Sequence, residues 1–145
     1  MLIAQISDTH IPRKGTKTYE IAPMAENLAQ CVDHINQHNP KPDVVLVTGD
    51  ITHSGQSEEF THAAELLNPL KMPFYVIPGN HDDRDLLRSI FDKRVCLVES
   101  ALKIDYVIEN EELRLIALDS TRAGNPGGEI TLAQAQWLNE KLTEE

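Results

Sequence analysis

The stretch FYVIPGNHDD, Phe74 to Asp83, decides the fold. Apolar residues run into a Pro-Gly turn, and an amide, an imidazole and two carboxylates follow at once. A short apolar run bounded by turn residues reads as a buried strand. A polar cluster just beyond such a strand is expected in an open α/β sheet, where ligands bind outside the carboxyl ends of the strands. Two earlier stretches have the same form. LIAQIS, Leu2 to Ser7, runs into Asp8-Thr9-His10. DVVLVTGD, Asp43 to Asp50, is as rich in valine as a strand covered on both faces should be, and it closes on Gly49-Asp50.

Helical patterns separate these strands. Leu28, Cys31, Val32 and Ile35 recur at helical spacing between about Ala22 and Gln37, and the prolines of NPKP stop that helix. SGQSEEFTHAAELL predicts a second helix, with Ser57 as N-cap and Glu58 and Glu59 in its first turn, ended by Asn68-Pro69. DLLRSIF predicts a short third one. Alternating strands and helices argue for parallel strands joined by crossovers, hence an α/β fold. The rest differs. LKIDYVIE and LRLIALDS flank Asn110-Glu111-Glu112 and predict an antiparallel hairpin, with ENEE as a solvated turn. TRAGNPGGEI reads as a loop. A last helix starts near Thr131, with Thr131 and Gln134 in the capping-box pattern and Ala135, Leu138 and Leu142 as its apolar stripe.

The chain has 145 residues, enough for one domain with a modest core. Its formal net charge of −10 disfavours polyanions, so neither nucleic acid nor a membrane surface is an expected partner. A small anionic substrate stays open, because a bound cation reverses the local sign. Cys31 and Cys96 lack C-x-x-C spacing, and the first residues lack a signal-peptide pattern, so reduced thiols and a cytoplasmic location are expected.

Asp8, His10, Asp50, Asn80 and His81 therefore gather at one rim. Asp8 and His10 are two apart, so on extended chain both point the same way. Carboxylate, imidazole and amide oxygen together suit Mn, Fe, Zn or Co better than calcium or a thiophilic metal. Asp50 after Gly49 is placed to bridge two ions, which about 3.5–4 Å apart would clamp a phosphoryl group. Each residue alone has a plainer reading: Asp8 and Asp50 as turn caps, His10 as a loop histidine, Asn80 as half of a Gly-Asn turn. His53, three residues past Asp50, is a candidate for a substrate contact or for supporting a ligand. Asp119 ends the fifth strand and suits loop capping or support better than ligation. His34, His38 and His62 read as solvent-facing helix residues.

DTH, GD and GNHD in this order resemble the D-x-H, G-D and G-N-H-[DE] motifs of the calcineurin-like metallophosphoesterases. ISDTH, TGDIT and YVIPGNHDD look closest to the branch holding bacterial cyclic-nucleotide phosphodiesterases and glycerophosphodiesterases. DSTRAGNPGGEITLAQAQWLNEKL is similar to the stretch of that branch after its fifth strand. The resemblance implies the amino-terminal half of a four-layer αββα sandwich, a mixed sheet flanked by helices, with residues 1–145 as a single truncated domain. It implies two divalent ions: Asp8 and His10 on the first, Asp50 bridging, Asn80 on the second. His81 would contact the phosphate or help the leaving group without ligating. The implied reaction is in-line attack of hydroxide on the phosphorus of a small phosphoester, of cyclic-nucleotide or glycerophosphodiester type.

One departure stands against this. The family continues to a further lone histidine and a G-H-x-H motif, whereas here no histidine follows His81. The second ion would keep only Asp50 and Asn80, fewer than the three protein ligands of typical catalytic zinc sites. Two other readings follow: a non-catalytic remnant that binds at most one ion weakly or acts through protein contacts, and self-association over an uncovered sheet face.

Overall fold

The computed structural model describes residues 1–92, 103–109 and 113–144. Cys96 and the 110–112 turn lie outside the described residues. Strands β1 (Ile3–Ile6), β2 (Val44–Thr48) and β3 (Phe74–Ile77) form a parallel sheet in the order β1-β2-β3. The valine-rich strand takes the centre, with both neighbours satisfying its backbone. Val45 and Val47 are buried, as are Phe74 and Val76 beside them on β3.

Helices α1 (Met24–Gln37), α2 (Ser57–Leu67) and α3 (Arg84–Ile90) join one core with this sheet. Leu28, Val32 and Ile35 enter it from α1, Phe60, Ala63 and Leu67 from α2, and Leu87 from α3. α1 starts after Pro23 rather than at Ala22, because Ala22 pairs its backbone with Thr18. Asn36, buried at the far end of α1, donates to the Pro69 carbonyl and accepts from the Lys71 N–H, fastening the turn before β3.

The N-cap of α2 is Gln56, not Ser57. The cause is Glu59, whose buried carboxylate accepts from the Ser54 N–H and hydroxyl at 2.8 and 2.9 Å and from the Gln56 N–H at 3.3 Å. That draws the preceding residues into the cap. Asp83 caps α3 through the N–H groups of Asp85 and Leu86.

The later chain makes two antiparallel ladders of its own. β4 (Tyr106–Glu109) pairs with β5 (Arg114–Ala117) as expected. β6 (Thr121–Arg122) pairs with β7 (Asn125–Gly128), so the stretch expected to be a loop contains a small hairpin. The Tyr106 hydroxyl donates to the Val76 carbonyl at 2.6 Å and ties the first hairpin to β3. α4 (Leu132–Thr143) begins at the Thr131–Gln134 capping box. Its inward residue is Gln134, however, and Leu142 is exposed. Half-buried Leu138, four residues on, shares the face of Gln134, whereas Ala135 and Leu142 are turned outward because Gln134 is held inward by donating to the Asp105 carboxylate and the Asp119 carbonyl, both at 2.9 Å. Among the described residues no helix is long and apolar enough to cross a membrane.

Candidate metal centre

Beyond the sheet, the loops leaving β1 and β2 stay zipped together. Asp8 N–H donates to the Gly49 carbonyl, His10 to Asp50 and Ile11 to Ile51, at 3.1, 2.8 and 2.8 Å. The loop leaving β3 is clamped to them by Asp82. Its carboxylate accepts from the N–H groups of Gly79, Ile51 and Thr52 and from the Thr52 hydroxyl, all within 3.0 Å. Burial raises the Asp82 carboxyl above the ordinary range, and these donors act against that shift. No role for Asp82 follows from its type alone; the signal is its place as the last residue of GNHD.

Two glycines set how closely the loops approach. A Cβ on Gly79 would lie 2.1 Å from both the backbone nitrogen and Oδ1 of Asp50, so no other residue fits there without moving Asp50. Gly49 faces Gly79, and its φ of +85° suits glycine. The contact leaves Asp50 Oδ1 accepting from the His81 N–H at 3.0 Å.

At this rim the structure brings His10, Asp50 and His81 together, each offering a ligand atom within 4.8 Å of the others. His10 Nε2 lies 3.8 Å from Asp50 Oδ2, too far for a hydrogen bond and close enough for one cation at about 2.1 Å from each donor. The His10 and His81 rings are 4.7 Å apart and perpendicular. His81 Nδ1 is bonded to the His53 carbonyl at 2.7 Å. A carbonyl only accepts, so Nδ1 carries the proton and, in the neutral ring, Nε2 presents a lone pair. His53 is thus joined to the cluster through its backbone, and its ring lies 6.4 Å from both His10 and His81. The Nδ1 atoms of His10 and His53 are buried without a hydrogen-bond partner among the described residues.

Asp8 and Asn80 are placed differently. Both are exposed and line, with Asp50, a cavity of about 500 Å³ that runs beneath the apolar residues Leu46, Tyr75 and Ile77. Asp8 and His10 do not sit on extended chain as their spacing suggests. Asp8, His10 and Asp50 all have left-handed backbones, at φ +56°, +41° and +46°. Side chains crowd the backbone in that region, and such strain persists where the surrounding structure over-determines it, often at functional sites.

Asp119, two residues past the end of β5, is fully buried and is not one of the three clustered ligand candidates. It accepts from Arg84 Nε at 2.6 Å, from the Ile104 N–H at 3.1 Å and from the Thr121 N–H and hydroxyl. Burial pushes its carboxyl up, but Arg84 and Thr121 together outweigh that and leave it below the ordinary range. His34 is exposed on α1, and His38, also exposed, is the C-cap just past its end rather than a helix residue. His62 is not simply solvent-facing, because it is half-buried with Nδ1 2.8 Å from the Pro12 carbonyl.

A parallel sheet whose carboxyl-end loops gather imidazoles and carboxylates with strained backbones defines an α/β protein with a candidate metal site at the strand ends. More narrowly, the chain belongs to the calcineurin-like phosphoesterase family, whose profile matches residues 1–142. It is 39% identical over 98% of its length to an Arcobacter nitrofigilis protein bearing the name "Probable glycerophosphodiester phosphodiesterase GpdQ". It is 34% identical over 99% to the glycerophosphodiester phosphodiesterase GpdQ of Enterobacter lignolyticus, and 30% identical over 97% to a cAMP/cGMP dual specificity phosphodiesterase of Mycobacterium tuberculosis. The chain covers 52%, 52% and 45% of these relatives, so it spans about half their length.

Proposed function

We propose that this chain carries a divalent-metal site of a phosphodiesterase-type phosphoester hydrolase acting on small diesters. The glycerophosphodiesters and cyclic nucleotides named for its relatives are the substrate classes to test first. The observation that carries the reading is the convergence of His10, Asp50 and His81 within 4.8 Å at the carboxyl ends of the parallel strands. Their nitrogen and oxygen donors suit Mn, Fe, Zn or Co.

His10 and Asp50 would hold the first cation, with Asp8 from the loop that carries His10. Asn80, which lines the same cavity as Asp50, would help to hold another. Divalent cations bound there supply Lewis acidity toward the phosphoryl oxygens and lower the pKa of water. The chain's own residues orient and move protons. The His53 carbonyl fixes the His81 tautomer, so Nε2 faces the cluster, where it accepts a proton or, once protonated, donates one to a departing alkoxide. Asp82 and the paired glycines hold the three loops at a constant separation.

The test is hydrolysis of a chromogenic phosphodiester with added Mn²⁺ or Co²⁺, by this chain and by Asp50→Asn. Metal-dependent turnover that the substitution abolishes is the expected result, and equal rates for the two proteins reject it. A second reading rests on the supply of imidazoles. Of the six histidines, only His10, His53 and His81 lie near the rim, and the tight donor set has room for one ion. In that reading the chain binds one cation weakly and does not turn over. Metal analysis after dialysis separates the two, since tight uptake of two ions per chain defeats the second.

A further inference from the structure

The turn Thr18–Ala22 is pinned to the candidate metal centre by its backbone. Thr18 is buried and its hydroxyl donates to the His10 carbonyl at 2.7 Å, while Thr18 and Ala22 exchange backbone bonds at 3.0 and 2.9 Å. The turn holds Tyr19 and Glu20 in the left-handed region, at φ +50° and +65°. Glycine would occupy that conformation without strain, and a bulky aromatic residue there is an outlier. Core packing does not account for the choice, because Tyr19 is 64% exposed. Its ring meets imidazoles instead: edge-to-face on His53 at 4.8 Å, and 6.5 Å from His10. Ile21, 78% exposed, stands beside it.

We propose that Tyr19 is a specificity-determining residue that receives the organic group of the substrate, and that it favours planar, aromatic alcohols such as nucleosides over small polyols. This rests on the phosphoesterase reading and deepens it. A diester whose phosphorus sits at the His10–Asp50–His81 cluster must carry its organic arm outward, and the exposed Tyr19 ring, set against His53 and 6.5 Å from His10, lies beside that cluster to meet it. An exposed phenol ring offers a face to any planar group at little ordering cost, since the strained turn already fixes it. A polyol offers that face nothing to stack.

Binding of products in the presence of Mn²⁺ tests this without requiring turnover. The probes are 5′-AMP, glycerol 3-phosphate and inorganic phosphate, titrated by calorimetry into the unmodified chain and into Tyr19→Phe, Tyr19→Ala and Tyr19→Gly. Loss of one base-stacking partner is expected to weaken 5′-AMP about tenfold in the Ala and Gly variants. Glycerol 3-phosphate and phosphate should stay within about twofold, and Phe should match the unmodified chain. The Gly variant relieves the backbone strain, so its thermal melt shows that any loss is not unfolding. Unchanged 5′-AMP affinity in both Ala and Gly, with phosphate binding intact, overturns the proposal alone. So does an equal loss for all three probes, or a loss in Phe, which would assign the work to the hydroxyl. If the unmodified chain binds none of the probes, the phosphoesterase reading fails and takes this one with it.

Discussion

The two halves of the molecule treat their polar residues in opposite ways. Beside β4 and β5, Asp119, Asp105, Arg84, Thr121 and Gln134 satisfy one another: Asp119 and Asp105 accept, Arg84 and Gln134 donate, and both carboxylates are buried. At the ends of β1, β2 and β3, two buried imidazole nitrogens lack partners, the His10–Asp50 gap is too wide for a hydrogen bond, and three candidate ligands have left-handed backbones. A satisfied network lowers the energy of the fold by itself. An unsatisfied, strained one makes sense where something else completes it.

Breaking the satisfied side should have the largest effect on stability. Asp119→Ala leaves Arg84 facing a buried gap, and a loss of about 3 kcal/mol is expected in chemical denaturation. Its metal affinity, measured where the variant is still folded, should change little. A large metal defect would mean the two halves are not independent. Gly79→Ala attacks the other side by sterics. Its Cβ has no room beside Asp50, so stability should fall by about 2–3 kcal/mol and metal uptake with it.

Asp50→Asn sharpens the contrast. The amide oxygen still accepts from the His81 N–H, so the melting temperature should hold or rise, while metal affinity and any turnover drop about 100-fold. A melting temperature that falls as far as that of the Asp119 variant would erase the distinction. A smaller effect concerns pH. Asp119 is held below its ordinary value of 3.8, so the native state binds fewer protons than the unfolded chain near that pH. Its contribution is complete above about pH 4 and is lost as the pH falls through its lowered value. Asp119→Asn should flatten the acid limb of the stability profile, and an unchanged limb would remove Asp119 as its source. The smallest is Thr131→Ala, about 1 kcal/mol through loss of the α4 cap, read from the melting curve.

The parallel half was legible because its signals are local. Valine density located β2, polar residues after apolar runs located the rim, and Thr131 with Gln134 located the start of α4. What escaped were features that depend on distant partners. Ser57 has the better capping chemistry, but Glu59 reaching back to Ser54 moved the cap to Gln56. In the α4 stripe Ala135 and Leu142 are outward, and only Leu138 keeps partial burial, because Asp105 and Asp119 claim Gln134 for the inward face. Asp82 stands last in GNHD, but its clamping role does not show there, since its donors come from two loops joined only by folding. Tyr19 carries no signal of its left-handed turn, since no glycine or asparagine flanks it.

The positive φ angles at Asp8, His10 and Asp50 bear on protein engineering. A library sorted for heat resistance alone would drift toward glycine at these three positions, each exchange recovering up to about 1 kcal/mol once glycine's looser unfolded chain is subtracted. The sturdiest descendants would have discarded their ligands, so selection for durability has to be coupled to a readout of ion capture from the first round.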